Sequence, residues 1–355
     1  MATQSPSQAV AALRPGSPPD AGLLKYLLEA PEEDTLPALV RLADDIRARY
    51  AGDEVHLRGV IEFSSHCSRN CHYCGLRSGN TTLTRYRIAP DDTVEIARRA
   101  VALGFRTIVL QSGEDPWYDA PTLAGIIEQI KALGAAVTVS VGDRPPEDYA
   151  LFRQAGADRY LLKHETSDAI LFQRLRPGTD LATRVDNLKH LRGLGFQIGA
   201  GNMVGLPGQS ADSLVADLLL LQELEVDMAG IGPFIPHPQT PLADSRPGTV
   251  SATLRVLALA RILMPWVHLP ATSALGALDP QGRQKALRAG ANVVMPNVTP
   301  AAYRNLYQIY PGKICTGEEP EHCRQCLTGI ITGMGRVVAT DCGHSLRPDR
   351  KECAQ

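Results

Sequence analysis

Eight short β-like runs recur along this chain, most of them followed by an amphipathic helical run, and this alternation restricts the fold more than any other feature. The runs lie at 58–63, 106–111, 136–141, 158–163, 197–203, 228–233, 267–271 and 291–296. Helical patterns fill the gaps at 93–103, 122–133, 146–154, 181–194, 213–224, 252–263 and 283–289. Strands joined by crossover helices pair in parallel, and eight such units predict an α/β fold, a (β/α)8 TIM-type barrel. Leu-Gly-Phe at 103–105 and 194–196 and Ala-Gly-Ala at 155–157 and 289–291 read as helix C-terminal turns feeding the next strand. Glycine suits such turns because it takes φ > 0 at little cost. An open doubly wound sheet is the alternative, but no G-x-G-x-x-G loop follows the first strand.

Around the barrel (58–310) the pattern places a disordered tail at 1–20, rich in Ala, Ser, Pro and Gln, and an N-terminal helical segment at 21–57. A cysteine-containing C-terminal extension follows at 311–355. The 36 basic and 38 acidic residues leave a net charge of −2, so no electrostatic footprint for nucleic acid or an anionic membrane is expected. No apolar run approaches the roughly 18 residues of a spanning helix. The tail also lacks the apolar segment of a secretory signal. Six of the eight cysteines fall in two groups, 67/71/74 and 315/323/326, with Cys342 and Cys353 apart. Tight grouping points to metal ligation in a reducing, oxygen-poor cytoplasm and not to disulfides.

The first group, Ser65-His66-Cys67-Ser68-Arg69-Asn70-Cys71-His72-Tyr73-Cys74-Gly75, has the spacing C-x3-C-x2-C directly after the first strand. Three thiolates around one point can hold three irons of a 4Fe–4S cluster and leave the fourth iron without a protein ligand, open for chemistry. Zinc, with His66 or His72 as fourth ligand, is the competing reading. Tyr73 before the last cysteine and Gly75 after it resemble the loop of radical S-adenosylmethionine (SAM) enzymes, and zinc needs neither. In that superfamily the open iron chelates the amino and carboxylate groups of SAM.

Barrel enzymes carry functional residues at the C-terminal ends of strands. Strand two ends in Gln111-Ser112-Gly113-Glu114-Asp115, where backbone can approach SAM closely; an ordinary turn has the same composition. Strand four ends in Lys163-His164-Glu165-Thr166, with Arg184 on the following helix. Glu165 and Arg184 suit the amino or ribose groups and the carboxylate of SAM, against a reading as surface groups. The glycines of 199–208 mark close approach by a ligand or another backbone, and Met228 offers an adenine face or plain core. Strands seven and eight end near Thr272 and Met295. Tyr303, Tyr307 and Tyr310 fall at helical spacing in 301–310. Their hydroxyls, with a cation such as Lys163 or Arg159, could hold a small anionic substrate; helix packing is the alternative. Cys315, Cys323 and Cys326 offer three more thiolates for a second iron–sulfur cluster (2Fe–2S or 4Fe–4S), with zinc competing. Cys342 and His344 are candidate extra ligands.

Several segments together resemble the HydE family of FeFe-hydrogenase maturases, over about residues 20–335. They are Ser112-Gly113-Glu114-Asp115-Pro116, His164-Glu165-Thr166, 199–209, 230–238 and Tyr307-Gln308-Ile309-Tyr310-Pro311-Gly312-Lys313-Ile314-Cys315. The resemblance implies a 4Fe–4S cluster on Cys67, Cys71 and Cys74 that reduces SAM to methionine and a 5′-deoxyadenosyl radical. It implies SAM contacts at Glu165 and Arg184 and a substrate cavity lined by Thr272, Met295 and Tyr307; the strand-end reading adds Tyr73, Gln111, Ser112 and Met228 toward SAM and Arg159, Lys163 and Tyr310 toward the substrate. The implied substrate is a cysteine-bound iron carbonyl–cyanide unit, with the maturases HydG and HydF and a low-potential electron donor as partners. Lys163 stands where the family leads one to expect arginine; lysine keeps the charge but loses bidentate binding. Biotin synthase-like sulfur insertion needs a cluster inside the barrel, and strands two to eight contain no cysteine. A methylornithine synthase-like mutase and a non-catalytic iron–sulfur or iron–carbonyl carrier remain as alternatives.

Overall fold

A computed structural model describes residues 5–17 and 20–351. Eight parallel strands pair around a closed ring. β1 (Glu54–Ser64) pairs with β2 (Thr107–Ser112), β2 with β3 (Ala136–Ser140), and β3 with β4 (Arg159–Leu161). β4 pairs with β5 (Gln197–Ala200). The expected fifth run breaks after Ala200 because Gly201 turns the chain at φ 152°. It resumes as β6 (Met203–Val204), and the sixth run divides likewise into β7 (Met228–Ala229) and β8 (Gly232–Pro233). β5 pairs with β7, while β6 and β8 form a separate two-stranded ribbon. A Cβ on Gly201 would lie 2.2 Å from the Gly230 carbonyl oxygen, so only glycine lets these backbones meet.

The seventh run joins by single bridges, Met228 with His268 and Pro270 with Val293. β9 (Val293–Val294) then pairs with His56 and Leu57 of β1 and closes the barrel. Its interior and jacket are apolar: Ile61, Ile108, Leu110, Val137, Val139 and Ile198 are all buried. Each such side chain contributes about 1.5–3 kcal/mol on leaving water.

The helices of the jacket are α1 (Pro6–Ala12), α2 (Ala21–Glu29), α3 (Glu32–Ala51), α4 (Pro90–Ala102), α5 (Ala120–Ala132), α6 (Pro146–Gln154), α7 (Ala169–Leu175) and α8 (Leu181–Gly193). They continue as α9 (Ala211–Glu223), α10 (Val250–Leu263), α11 (Ser273–Leu278), α12 (Gly282–Arg288), α13 (Ala301–Arg304), α14 (Pro320–Gly333) and α15 (Pro348–Lys351). α1 corrects the expectation of a disordered tail through residue 20. Ser5 and Gln8 close a capping box on it, Ala9, Val10 and Leu13 are buried, and Gly16 N–H donates to the Ile262 carbonyl at 3.0 Å. The apolar stripe within a polar composition is what docks it. The helix expected over 301–310 stops at Arg304, whose side chain reaches ahead to the carbonyl of Cys315 at 3.2 Å. Tyr307 and Tyr310 therefore stand on irregular backbone.

After α14, β10 (Val337–Val338) pairs with the first residues of β1. The chain then crosses the N-terminal opening of the barrel. Arg58 donates to the Gly343 carbonyl at 3.1 Å, and Arg159 donates to the Cys342 and Gly343 carbonyls at 2.8 Å each. Arg159 is thus a floor residue and not a substrate contact at the mouth, because it begins its strand while functional positions end theirs. Cys342 and His344 belong to the same floor, His344 through its carbonyl 3.0 Å from His268 Nε2. Cys353 lies outside the described residues.

Candidate active site

At the C-terminal ends of the strands the barrel opens into a cavity of about 410 Å³. Cys67, Cys71 and Cys74 line it, whereas His66 and His72 do not. The loop that carries them is tied down by its own sequence. Arg85 donates to the carbonyls of Ser65, Leu76, Arg77 and Asn80, and Asn80 Nδ2 reaches the Gly75 carbonyl at 2.8 Å. Ser68 N–H donates to the Glu114 carbonyl at 2.9 Å, fastening the loop to the end of β2. A Cβ on Gly113 would stand 2.2 Å from the His66 carbonyl oxygen and 2.6 Å from Cys67 Cβ.

Burial raises the pKa of all three thiols, and their mutual proximity raises those of Cys67 and Cys74 further through neighbouring cysteines. Three thiolates so placed need a compensating metal charge. The donor set and the close-fitting glycine seat fit a cluster bound on the cavity side. With both histidines off that side, the zinc reading loses its fourth ligand. Among the described residues, no three His, Cys, Asp or Glu side chains converge on a single ion.

One wall of the cavity is charged. Tyr73, Gln111, Ser112, Glu165, Arg184 and Met228 all line the cavity. Glu165 has φ 66°, a strained backbone for a non-glycine residue, held by its N–H to the Gly201 carbonyl and by Met203 N–H to its own carbonyl, both 2.9 Å. Burial opposes its charge, but Lys163, 3.1 Å away, together with Arg176 and Arg184 outweighs this and lowers its pKa. Arg184 pairs with Asp143 at 2.8 Å. Met228 also receives the Arg58 guanidinium at 3.0 Å, so it separates the cavity from the floor.

Lys163, Thr272, Met295, Tyr307 and Tyr310 line the same cavity. Thr272 Oγ1 is buried without a partner in the protein. Tyr310 shares a hydrogen bond with Ser273 at 2.6 Å. Sequence reasoning missed Glu62, Asn297, Lys313, Arg69, Glu114, Arg176 and Arg283 as site residues, although each lines the cavity. Lys313 reaches Glu62 at 2.7 and 2.8 Å, Asn297 Nδ2 reaches it at 2.6 Å, and Lys313 sits 5.0 Å over the Tyr307 ring. A charged residue at an inward strand position was the available signal for Glu62. Nothing local distinguishes Arg176.

The second cysteine group divides. Cys315 lines the cavity at φ 58°, Cys323 is buried in α14, and Cys326 is exposed on the same helix. A hydrogen bond with Cys323 lowers the Cys315 thiol to about 6, with Arg283 assisting against burial; Cys323 is driven up in return.

A cysteine loop after the first strand of a closed barrel, open to a cavity with a carboxylate and arginines, defines a radical SAM enzyme. The model of the Radical SAM superfamily matches residues 61–221. More narrowly, the chain belongs to the HydE family of FeFe-hydrogenase maturases. It is 52% identical over 321 residues to the [FeFe] hydrogenase maturase subunit HydE of Thermotoga maritima, covering 90% of this chain and 92% of that one. It is 28% identical to 3-methylornithine synthase of Methanosarcina acetivorans, over 76% of this chain and 77% of that one. Among solved structures, methylornithine synthase (PylB) shares the fold at a TM-score of 0.82 and 23% identity, covering 99% of both chains. The maturase HydG does so at 0.79 and 16%, over 94% of this chain and 75% of that one. The family implies a 4Fe–4S cluster and SAM. Among the described residues no helix is long and apolar enough to cross a membrane.

Proposed function

We propose that the chain acts in H-cluster assembly on a cysteine-bound iron carbonyl–cyanide unit supplied by HydG, with a HydF-bound assembly downstream and a low-potential donor providing the electron. The observation that carries this reading is one cavity lined both by the cysteine loop and by the cations Lys163, Lys313 and Arg283. A cluster on Cys67, Cys71 and Cys74 would supply the electron that splits SAM into methionine and a 5′-deoxyadenosyl radical.

The protein's own part is to bind and orient. Glu165 and Arg184 hold the polar end of SAM, with Tyr73, Gln111, Ser112 and Met228 around it. Thr272 offers its unpaired hydroxyl and Met295, Tyr307 and Tyr310 shape the substrate space, while the apolar barrel keeps water from the radical. Lys163 contributes charge to that space. Cys315 at the cavity edge, with Cys323 and Cys326 of α14, would hold an auxiliary iron–sulfur cluster.

Anaerobic incubation with SAM, reductant and the HydG product should yield an adenosyl adduct on sulfur, seen by mass spectrometry and electron paramagnetic resonance. Cys71→Ala should abolish 5′-deoxyadenosine formation; a normal yield from that variant would sink the cluster assignment. The fold shared with methylornithine synthase favours a second reading, an amino-acid mutase. Rearrangement of an amino acid without any adduct would select it.

A further inference from the structure

We propose that Arg176 is a second carboxylate-binding arginine of the SAM site, held in place from the cluster loop. This rests on the reading of Glu165 and Arg184 as SAM contacts. Arg176 follows the last residue of α7 and is buried, with its guanidinium 5.8 Å over the Phe172 ring. Nη1 donates to the Tyr73 hydroxyl at 3.0 Å, and Nη2 donates to Glu114 Oε1 at 3.2 Å and lies 3.9 Å from Asp143.

Glu114 also pairs with Arg69, between Cys67 and Cys71 in the loop. It lies over Gly142, where a Cβ would come within 2.1 Å of Glu114 Cγ. Asp143 in turn holds Arg184 and accepts from Asn187 Nδ2 at 3.0 Å.

Two features point to an anionic ligand. With Lys163 and Glu165 counted beside them, four cations (Arg69, Arg176, Arg184 and Lys163) face three carboxylates (Glu114, Asp143 and Glu165), leaving one positive charge over. The Nε atoms of both Arg176 and Arg184 are buried without a partner, on side chains that line the cavity. Burying such donors unpaired is costly, and one carboxylate answers both the charge and the donors. Because Tyr73 adjoins Cys74, the same contacts set the carboxylate site in register with the cluster loop.

The test is anaerobic equilibrium binding to reconstituted enzyme of S-adenosylhomocysteine, which carries the amino acid part, and 5′-methylthioadenosine, which lacks it. Arg176→Lys should raise the Kd for S-adenosylhomocysteine about tenfold, as expected for a lost charged hydrogen bond. Methylthioadenosine should bind within about twofold of wild type. Tyr73→Phe, which frees the guanidinium without removing it, should raise the first Kd by about threefold. Unchanged S-adenosylhomocysteine binding, or equal weakening of both ligands, overturns the role of Arg176. A wild-type enzyme that binds the two ligands alike overturns the SAM reading of this wall itself.

Discussion

Gly113→Ala isolates the contact that seats the cluster loop. Gly113 is not in left-handed backbone, so alanine brings no conformational strain and only a methyl group. That methyl would stand 2.2 Å from the His66 carbonyl oxygen and 2.6 Å from Cys67 Cβ, both on the loop. Ordinary contact needs about 3.5 Å, so loop and strand must part by roughly 1 Å. Overpacking of this kind costs about 1–3 kcal/mol, and here the displaced atoms carry a cluster ligand. The barrel core lies below the contact, so the expected result is a folded protein with a lowered iron and sulfide content. A Tm within a few degrees of wild type would accompany it. Iron and sulfide analysis after anaerobic reconstitution, beside circular dichroism melting, measures both. Full iron occupancy with unchanged SAM cleavage would refute the reasoning, since the loop would then tolerate what the geometry forbids.

Three further outcomes are expected. Glu165→Gln should weaken SAM binding about tenfold, because a charge-assisted contact is lost; an unchanged Kd removes Glu165 from the site. Cys323→Ala should leave SAM cleavage largely intact while lowering total iron, and complete loss of cleavage would instead give α14 a catalytic or folding role. Burial lowers His56 from 6.5 to about 4 and His268 well below 6.5, beside Arg58 and Arg159. The unfolded chain then takes up protons that the folded one refuses, so this contribution is full above pH 6.5 and is lost as the pH falls toward 4. For His56 alone this removes about 2 kcal/mol at pH 5, and equal urea midpoints at pH 7 and pH 5 would contradict it.

The parts of the site that could be read in advance are those encoded by neighbours in sequence. The thiols at 67, 71 and 74 and Glu165, two residues past a strand run, reach the cavity because strand ends deliver them there. Arg159 was misplaced for the complementary reason: strand register decides which end of the barrel a residue occupies, and Arg159 begins its strand. Arg176 and Lys313 could not be found locally, since their partners, Glu114 and Glu62, are 62 and 251 residues away.

The order of strands, the cysteine spacing and the helix turns were set by local rules of periodicity and backbone conformation, and from them follow a barrel and an open-iron loop. Ring closure depended on single bridges at His268 and Pro270, and the two-stranded ribbon at the mouth on the meeting of Gly201 with Gly230. The seat of the C-terminal segment under the barrel rests on Arg58 and Arg159 donating to carbonyls far along the chain. Charge pairing and close packing act between residues that only the closed barrel brings together, and for that reason the balance of arginines and carboxylates around the cavity belongs to the tertiary structure alone.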